Sequence, residues 1–325
     1  MMKRIDWFLM AIIAAAIVAS IWPALGVGEV IVSWTTKVMI FILFFLYGAR
    51  LHPDEAIKGL KHWRLHLTIL VFTFVVFPII GLALGVLSPL VIPKPLYAGL
   101  LYVTLVPSTV QSSINFTSIA RGNVAGAIVS ASASNLLGVV ITPMLVILLM
   151  GATGNAVIRF ESVLDIFAQI LLPFAIGQAS RRWTAAWVEG HKKLKFFDQG
   201  TIVLVVYAAF SSGIREGMWG MVSIPDLIIL TIICAVILAF MLWFTWWSAF
   251  RLGFNREDAI AIQMCGTKKS LATGLPMAMV LFAGQPIGLL MLPLMVFHQM
   301  QLMVCSVLAS RYGRQADAAA AAAVG

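Results

Sequence analysis

The segment AIAIQMCGTKKSLATGLPMAMVLF, residues 259–282, decides how the chain folds, because it places two adjacent lysines inside an otherwise apolar run. A run of this length is what an α-helix needs to cross a bilayer, about 20 residues. Lysine at membrane depth costs about 3 kcal/mol on insertion scales, so it is tolerated mainly beside a cavity, a partner or a ligand. We therefore predict an interrupted helix here, with a binding site formed by Thr267, Lys268, Lys269 and Ser270.

The rest of the chain supplies apolar surroundings for this segment. Of its 325 residues, 61% are hydrophobic and 11% are charged, and the mean hydropathy is +1.00. The apolar runs are continuous rather than alternating, which favours helices over a β-barrel. We therefore expect an all-α polytopic membrane protein. The predicted spans lie near residues 5–22, 30–48, 65–87, 95–120, 124–150, 160–180, 201–212, 225–250, 259–282 and 286–308.

The ten predicted transmembrane helices form two groups of five with the same layout. The fourth helix of each group has a polar interruption, and the interruptions near Ser112 and Lys268 are separated by nearly the same length as the first and sixth helices. An odd number of spans per group makes the second group an inverted repeat of the first, with the discontinuous helices 4 and 9 crossing near the midplane. We expect repeats over residues 1–150 and 151–310, then a low-complexity cytoplasmic tail over 311–325, disordered after Asp317.

The basic residues predict the orientation of the protein in the membrane. The chain carries 22 Lys and Arg against 13 Asp and Glu, and most of the basic residues fall in segments that are cytoplasmic if the N-terminus is inside; the outer segments hold Lys94, Arg159 and Arg215. The positive-inside rule then places both termini in the cytoplasm. We expect a multi-pass inner-membrane protein whose net charge of +9 serves topology and contact with membrane lipid, not nucleic-acid binding. A secretory signal peptide is the alternative interpretation of the first span.

The first polar interruption along the chain, PSTVQSSINFT, begins at Pro107 within the fourth predicted span, and the segment at residues 267–270 is the second. Proline removes a backbone donor, and the freed carbonyls need protein, water or an ion. Hydroxyl and amide oxygens suit a hard cation such as sodium. We predict that Ser112, Ser113, Asn115 and Thr117 line a substrate or ion site. The alternative is that the hydroxyls bond back to their own helix.

Polar residues on two further spans extend this predicted site. The fifth span holds Ser130, Ser132, Ser134 and Asn135, and the tenth holds His298, Gln299 and Gln301. From these sets we select Asn135 on the fifth span, and His298 and Gln299 as contacts for an anionic substrate. Helix packing is the alternative role of the serines, and a structural role is the alternative for the histidine.

At these residues the chain resembles the bile acid:sodium symporter superfamily, especially its symporter-like branch of poorly defined substrate. The resemblance covers roughly Ile5 to Arg311, and its clearest marks are Pro107 through Ser112-Ser113, the IARGN segment at 119–123, and the GTKKSLA segment at 266–272. In that family the matching places form two sodium sites. The resemblance therefore implies a sodium site at Ser112, Ser113, Asn115, Ser132 and Asn135.

The chain departs from the family pattern at the second interruption. Aligning on Gly266 puts Met264 at the family's glutamate, Lys268 at its glutamine and Lys269 at its asparagine. Losing a carboxylate and gaining two ammonium groups should repel sodium. Three interpretations stay open: a lysine stands in for sodium as a fixed cation, giving an exchanger or uniporter; a lysine carries protons; or Lys269 faces the cytoplasmic vestibule and one sodium site remains.

All three interpretations leave a net positive site, since no carboxylate lies beside the lysines in sequence. We expect a secondary transporter that moves a small organic anion by alternating access, with coupling to sodium or to protons left open. The contrasting hypothesis is a non-transporting membrane regulator of ion homeostasis with the same fold. We expect no enzyme, because no nucleophile-base pair or phosphate loop is visible, and no cofactor other than sodium.

Overall fold

The computed structural model describes residues 7–50, 62–152, 167–191, 193–283, 285 and 287–322, and every regular element in these ranges is a helix. Six helices there are long and apolar enough to cross a membrane: Val27–Arg50, Trp63–Leu87, Val124–Met150, Leu194–Arg215, Ile224–Arg251 and Ile287–Ala320. Shorter apolar helices cover Met10–Ile21 and Phe167–Ala179. The prediction of an all-α, multi-pass membrane protein is confirmed.

The described α-helices follow one another along the chain with several local changes of helix type. They are α1 (Trp7–Ile21), α2 (Val27–Arg50), α3 (Trp63–Val71), α4 (Phe77–Ala83), α5 (Lys94–Leu105), α6 (Gln111–Ile119), α7 (Val124–Leu145), α8 (Leu172–Ala179), α9 (Arg181–Gly190), α10 (Leu194–Arg215), α11 (Ile224–Arg251), α12 (Arg256–Gly266), α13 (Leu271–Leu281) and α14 (Ile287–Ala322). Single π-helical turns lie at Phe72–Val76, Val146–Met150 and Phe167–Leu171.

The structure departs from the sequence-based boundaries in two places. Helix α9, with Trp183 and Trp187 exposed, lies between two predicted spans and was not predicted. The expectation of disorder after Asp317 is wrong, because α14 continues to Ala322 and is 36 residues long; alanine has the highest helix propensity of any residue. Arg159, the first residues of the sixth predicted span and the last three residues of the tail lie outside the described residues.

The helices divide into two compact units. The first unit comprises residues 1–51, 146–224 and 272–292, and the second comprises residues 52–145, 225–271 and 293–325. Each unit therefore takes segments from both predicted repeats. The second unit contains both polar interruptions and all the lysine contacts described below.

The first unit is held together by very close approach of α2 and α8. A Cβ atom placed on Gly177 would lie 2.0 Å from the carbonyl oxygen of Phe45, and one on Gly48 would lie 2.1 Å from that of Phe174. Small residues permit such approach in membrane proteins, where dispersion forces at close range replace the hydrophobic effect between helices. These two glycines therefore set the distance between the backbones of the two helices.

We expect Gly177→Ala to lower the stability of the protein by about 2 kcal/mol, because the added methyl group meets a backbone carbonyl that can retreat only with its whole helix. Gly200→Ala on α10 is the matched control, since a Cβ atom there meets nothing within 4 Å. Alanine at that exposed helical position should be neutral or slightly stabilising. The thermal unfolding midpoints of both variants in detergent measure the difference, and equal midpoints would contradict the packing argument.

Candidate functional site

Both helix interruptions occur where the sequence predicts them. The fourth predicted span consists of α5 and α6, which are separated by residues 106–110, and the ninth consists of α12 and α13, which are separated by residues 267–270. Val106 adopts an extended conformation, with φ −76° and ψ 154°, because the ring of Pro107 disfavours a helical residue before it. Helix α5 therefore ends at Leu105, two residues before the proline.

The two interruptions satisfy each other's backbone groups within the second unit. The hydroxyl of Ser108 donates to the carbonyl of Cys265 at 2.6 Å, and the backbone N–H of Ser270 donates to the carbonyl of Pro107 at 2.8 Å. The backbone N–H of Ser108 donates to the hydroxyl of Ser134 at 3.1 Å. Irregular backbone at membrane depth needs such partners, so the two interruptions depend on one another.

Lys269 is buried in a cage of three backbone carbonyls. Its side-chain nitrogen donates to the carbonyl oxygens of Thr73 at 2.9 Å, Thr104 at 2.8 Å and Val106 at 2.9 Å. The nitrogen also lies 4.1 Å from the centre of the Phe77 ring, and the residue is 0% exposed. Three acceptors use all three hydrogens of an ammonium group, so this geometry is that of a charged lysine. We call the three carbonyl oxygens the carbonyl cage.

The carbonyl cage arises from two local features of the backbone. The carbonyls of Thr104 and Val106 lie at the C-terminal end of α5, where the last carbonyls of a helix lack intrahelical partners and carry the negative end of the helix dipole. Thr73 lies in the π-helical turn Phe72–Val76, where the regular α-helical bonding pattern changes. The ammonium of Lys269 thus caps α5 from a distant part of the chain.

Gln301 holds the backbone of Lys269 in place. Its amide oxygen accepts from the N–H of Lys269, and its amide nitrogen donates to the carbonyl of the same residue, both at 2.8 Å. The same nitrogen lies 2.8 Å from Nδ1 of His298. An amide nitrogen only donates, so this contact makes Nδ1 an acceptor. His298 therefore supports Gln301, and Gln301, which is 0% exposed, fixes the direction in which Lys269 points.

Lys268 is equally buried but has a different environment. It is 0% exposed, its ammonium donates to the carbonyl oxygen of Ser112 at 2.9 Å, and it lies 4.1 Å from the centre of the Phe116 ring. Among the described residues this is its one hydrogen bond, and no ion pair there includes either lysine. Two of its hydrogens therefore remain for another partner.

Most of the predicted hydroxyl groups bond within the first interruption or to their own helices. Ser112 and Ser113 both turn their hydroxyls to that of Thr109, at 2.6 Å and 3.0 Å. Thr117 donates to the carbonyl of Ser113 at 2.8 Å, and Thr267 likewise donates to a carbonyl four residues earlier at 2.6 Å. The two threonines thus follow the alternative interpretation, in which a hydroxyl bonds back to its own helix.

Four other residues predicted for the site are less buried than the lysines. Asn115 is exposed, and Ser132, Asn135 and Gln299 are half-buried. No hydrogen bond joins Asn115 or Gln299 to the lysines in the described ranges. On α7 the buried Ser134 contacts the first interruption, by accepting from the N–H of Ser108. The residues brought together are therefore Ser112, Lys268, Lys269 and Ser270 with His298.

Sequence reasoning missed the residues that hold Lys269. The carbonyl cage consists of backbone atoms, which leave no side-chain pattern in a sequence. Gln301 did have a visible signal: it lies three residues after His298, so the two share one face of a helix, whereas the selected Gln299 does not. Lys269 itself is completely buried rather than directed to a vestibule.

The residues implied for sodium do not fit that ion in this arrangement. Ser112, Ser113, Asn115, Ser132 and Asn135 contribute hydroxyls and amides but no carboxylate, and the ammonium of Lys268 bonds to the carbonyl of the first of them. Hard cations favour several converging oxygens, usually with a carboxylate among them. A fixed positive charge beside such ligands opposes a second one.

Comparison with known proteins identifies the family of this chain. The model of the SBF-like CPA transporter family matches residues 6–314. The chain is 52% identical over 319 residues to the protein PA2026 of Pseudomonas aeruginosa, covering 98% of this chain and 96% of the relative. It is 45% identical to "Putative symporter YfeH" of Escherichia coli, covering 97% and 95%, and 33% identical to "Sodium/bile acid cotransporter 7" of Rattus norvegicus, covering 94% and 92%. The resemblance to the bile acid:sodium symporter superfamily is confirmed.

Proposed function

Because the chain belongs to the SBF-like CPA transporter family, we propose that it is a secondary transporter that moves a small organic anion across the membrane by alternating access. Relatives that match along nearly its whole length carry the names of symporters. Transport is therefore the class of function, and the nature of the cargo is our inference from the site.

The architecture that we propose for this activity is two inverted five-helix repeats, over residues 1–150 and 151–310, in an inner membrane with both termini cytoplasmic. Two interrupted helices support it, because each lies in the fourth span of its predicted repeat. The hydrogen bonds from Ser108 to Cys265 and from Ser270 to Pro107 also support it, since crossed discontinuous helices are where secondary transporters bind their cargo.

The observation that carries the anionic cargo is the environment of Lys268. A buried charge is costly unless it is paired and hydrogen-bonded. This ammonium has one carbonyl partner and no carboxylate among the described residues. A carboxylate or similar anionic group would use its two remaining hydrogens and neutralise its charge. Ser112, whose carbonyl already accepts from this lysine, lies beside the same position and is the second contact that we assign to the cargo.

We expect Lys268→Gln to weaken binding of the transported anion by about 10-fold to 100-fold, because a hydrogen bond to a charged group contributes about 1.5–3 kcal/mol. A thermal-shift screen of the purified protein against organic anions identifies a ligand, since binding to the folded state raises stability. The affinity of both proteins for that ligand is then compared. Lys37→Gln is the control, because Lys37 is an exposed lysine on another membrane helix.

Uptake into proteoliposomes then tests transport itself, under imposed sodium, proton or anion gradients. Gradient-driven uptake by the wild type, reduced in Lys268→Gln and unchanged in Lys37→Gln, supports the proposal and shows which gradient drives it. A folded Lys268→Gln protein with unaltered affinity and uptake removes Lys268 from the site. Folded wild type that takes up no anion under any gradient favours a regulatory membrane protein instead.

A further inference from the structure

We infer that the carbonyl cage is a cation site whose permanent occupant is the side chain of Lys269, and that removing this side chain opens the cage to a small primary ammonium ion. A cage filled by the chain itself does not exchange a cation during transport. This consequence deepens the proposed function and rests on it. The test of the inference measures binding and does not require transport.

The first argument is the convergence of acceptors. Carbonyl oxygens of Thr73, Thr104 and Val106 point at one nitrogen from distances of 2.8 to 2.9 Å. Hydrogen bonds from an ammonium group to oxygen have this length. Three buried acceptors around one point need a donor or a cation, because an unsatisfied buried carbonyl loses its hydration without compensation.

The second argument is the electrostatic character of the surroundings. Two of the three carbonyls end helix α5, whose dipole presents its negative end there. The ring of Phe77, 4.1 Å from the nitrogen, adds the negative face of its quadrupole. All these contributions favour a positive occupant, and they come from helix α5 and from Phe77 rather than from the segment that carries the lysine.

The third argument is the contrast with the neighbouring lysine. Lys268 has the same side chain and the same burial, yet it has one carbonyl partner where Lys269 has three. The backbone of Lys269 is also held on both sides by Gln301. One ammonium is therefore fixed at all its hydrogens, while the other keeps two hydrogens for a ligand.

The decisive experiment is chemical rescue of Lys269→Ala. Alanine retains Cβ, so the missing group is n-propylammonium, which is the probe. We expect the thermal unfolding midpoint of this variant to fall well below that of the wild type and to rise saturably with n-propylammonium chloride. Tetramethylammonium chloride at the same ionic strength should give no such rise, since it carries the charge without an N–H donor.

Two control proteins test whether the response requires an empty cage. Lys269→Met fills the space with an uncharged chain, and wild type fills it with the lysine, so neither should respond to n-propylammonium more than to tetramethylammonium. If Lys269→Ala does not yield folded protein, Lys269→Asn is titrated with ammonium chloride instead, because the shorter amide leaves the cage vacant and offers a fourth oxygen.

Equal responses of Lys269→Ala to the two salts, or of Lys269→Asn to ammonium and tetramethylammonium where that variant replaces it, overturn the inference. A selective response supports it even if no anion uptake is found, so failure of the cage and failure of the transport proposal remain distinguishable.

Discussion

Lys269→Met should lower the free energy of unfolding by about 5 kcal/mol. The substitution keeps most of the apolar volume and removes the ammonium group that donates to the carbonyls of Thr73, Thr104 and Val106. Each buried carbonyl left without a donor costs about 1–3 kcal/mol, and three of them are affected together. The ends of α5 and of the π-helical turn should therefore separate or admit water.

The loss is measured as the shift in unfolding midpoint of the purified protein in detergent. Lys94→Met is the matched control, because Lys94 is exposed at the start of α5, the same helix that Lys269 caps at its other end. We expect the control to unfold within a degree or two of the wild type. A Lys269→Met protein as stable as this control would mean that water or another group satisfies the cage, and the structural role assigned to the ammonium would be lost.

Gln301→Leu is expected to lower the free energy of unfolding by about 3 kcal/mol. Leucine fits the apolar helix, but it leaves both the N–H and the carbonyl of Lys269 without their partner. The cost is that of two buried backbone groups losing their hydrogen bonds. Because the same contact directs the lysine into the carbonyl cage, we also expect Gln301→Leu to weaken the effect of a second substitution at Lys269.

A double-mutant cycle measures this coupling. If Gln301 acts by positioning Lys269, the double variant with Lys269→Met should lose clearly less stability than the sum of the single losses. Gln299→Leu is the control on the same helix, since its half-buried amide is not bonded to the lysine. Additive effects in the cycle would contradict the positioning role, whatever the size of the single effects.

The interruptions were predictable from the sequence because each has a local chemical cause. Pro107 ends α5 through its own ring, and the Gly266-Thr267-Lys268-Lys269 run puts charge where a continuous apolar helix would expose it to lipid. These causes act within a few residues of the break. Even a single sequence therefore shows them.

The partners of the lysines were not predictable in the same way. Thr73 and Thr104 take part through main-chain oxygens, which every residue type possesses. The oxygen of Thr73 is available because of a π-helical turn at Phe72–Val76, and the apolar residues of that turn do not distinguish it from an ordinary helix. Contacts of this kind depend on how distant segments pack, and the residue types involved leave no periodic pattern.

The length of α14 has a practical consequence for handling the protein. Its 36 residues extend about 54 Å, whereas the hydrocarbon layer of a bilayer is about 30 Å thick. The part near its end is anchored: a Cβ atom on Gly313 would lie 2.4 Å from the carbonyl oxygen of Ile119, and Arg121 pairs with Asp317 at 3.2 Å. A fluorescent reporter fused after α14 would therefore be joined to the membrane region by a continuous helix that packs against the end of the interrupted fourth span. Truncation of the chain after Leu308 would remove the contacts of Gly313 and Asp317.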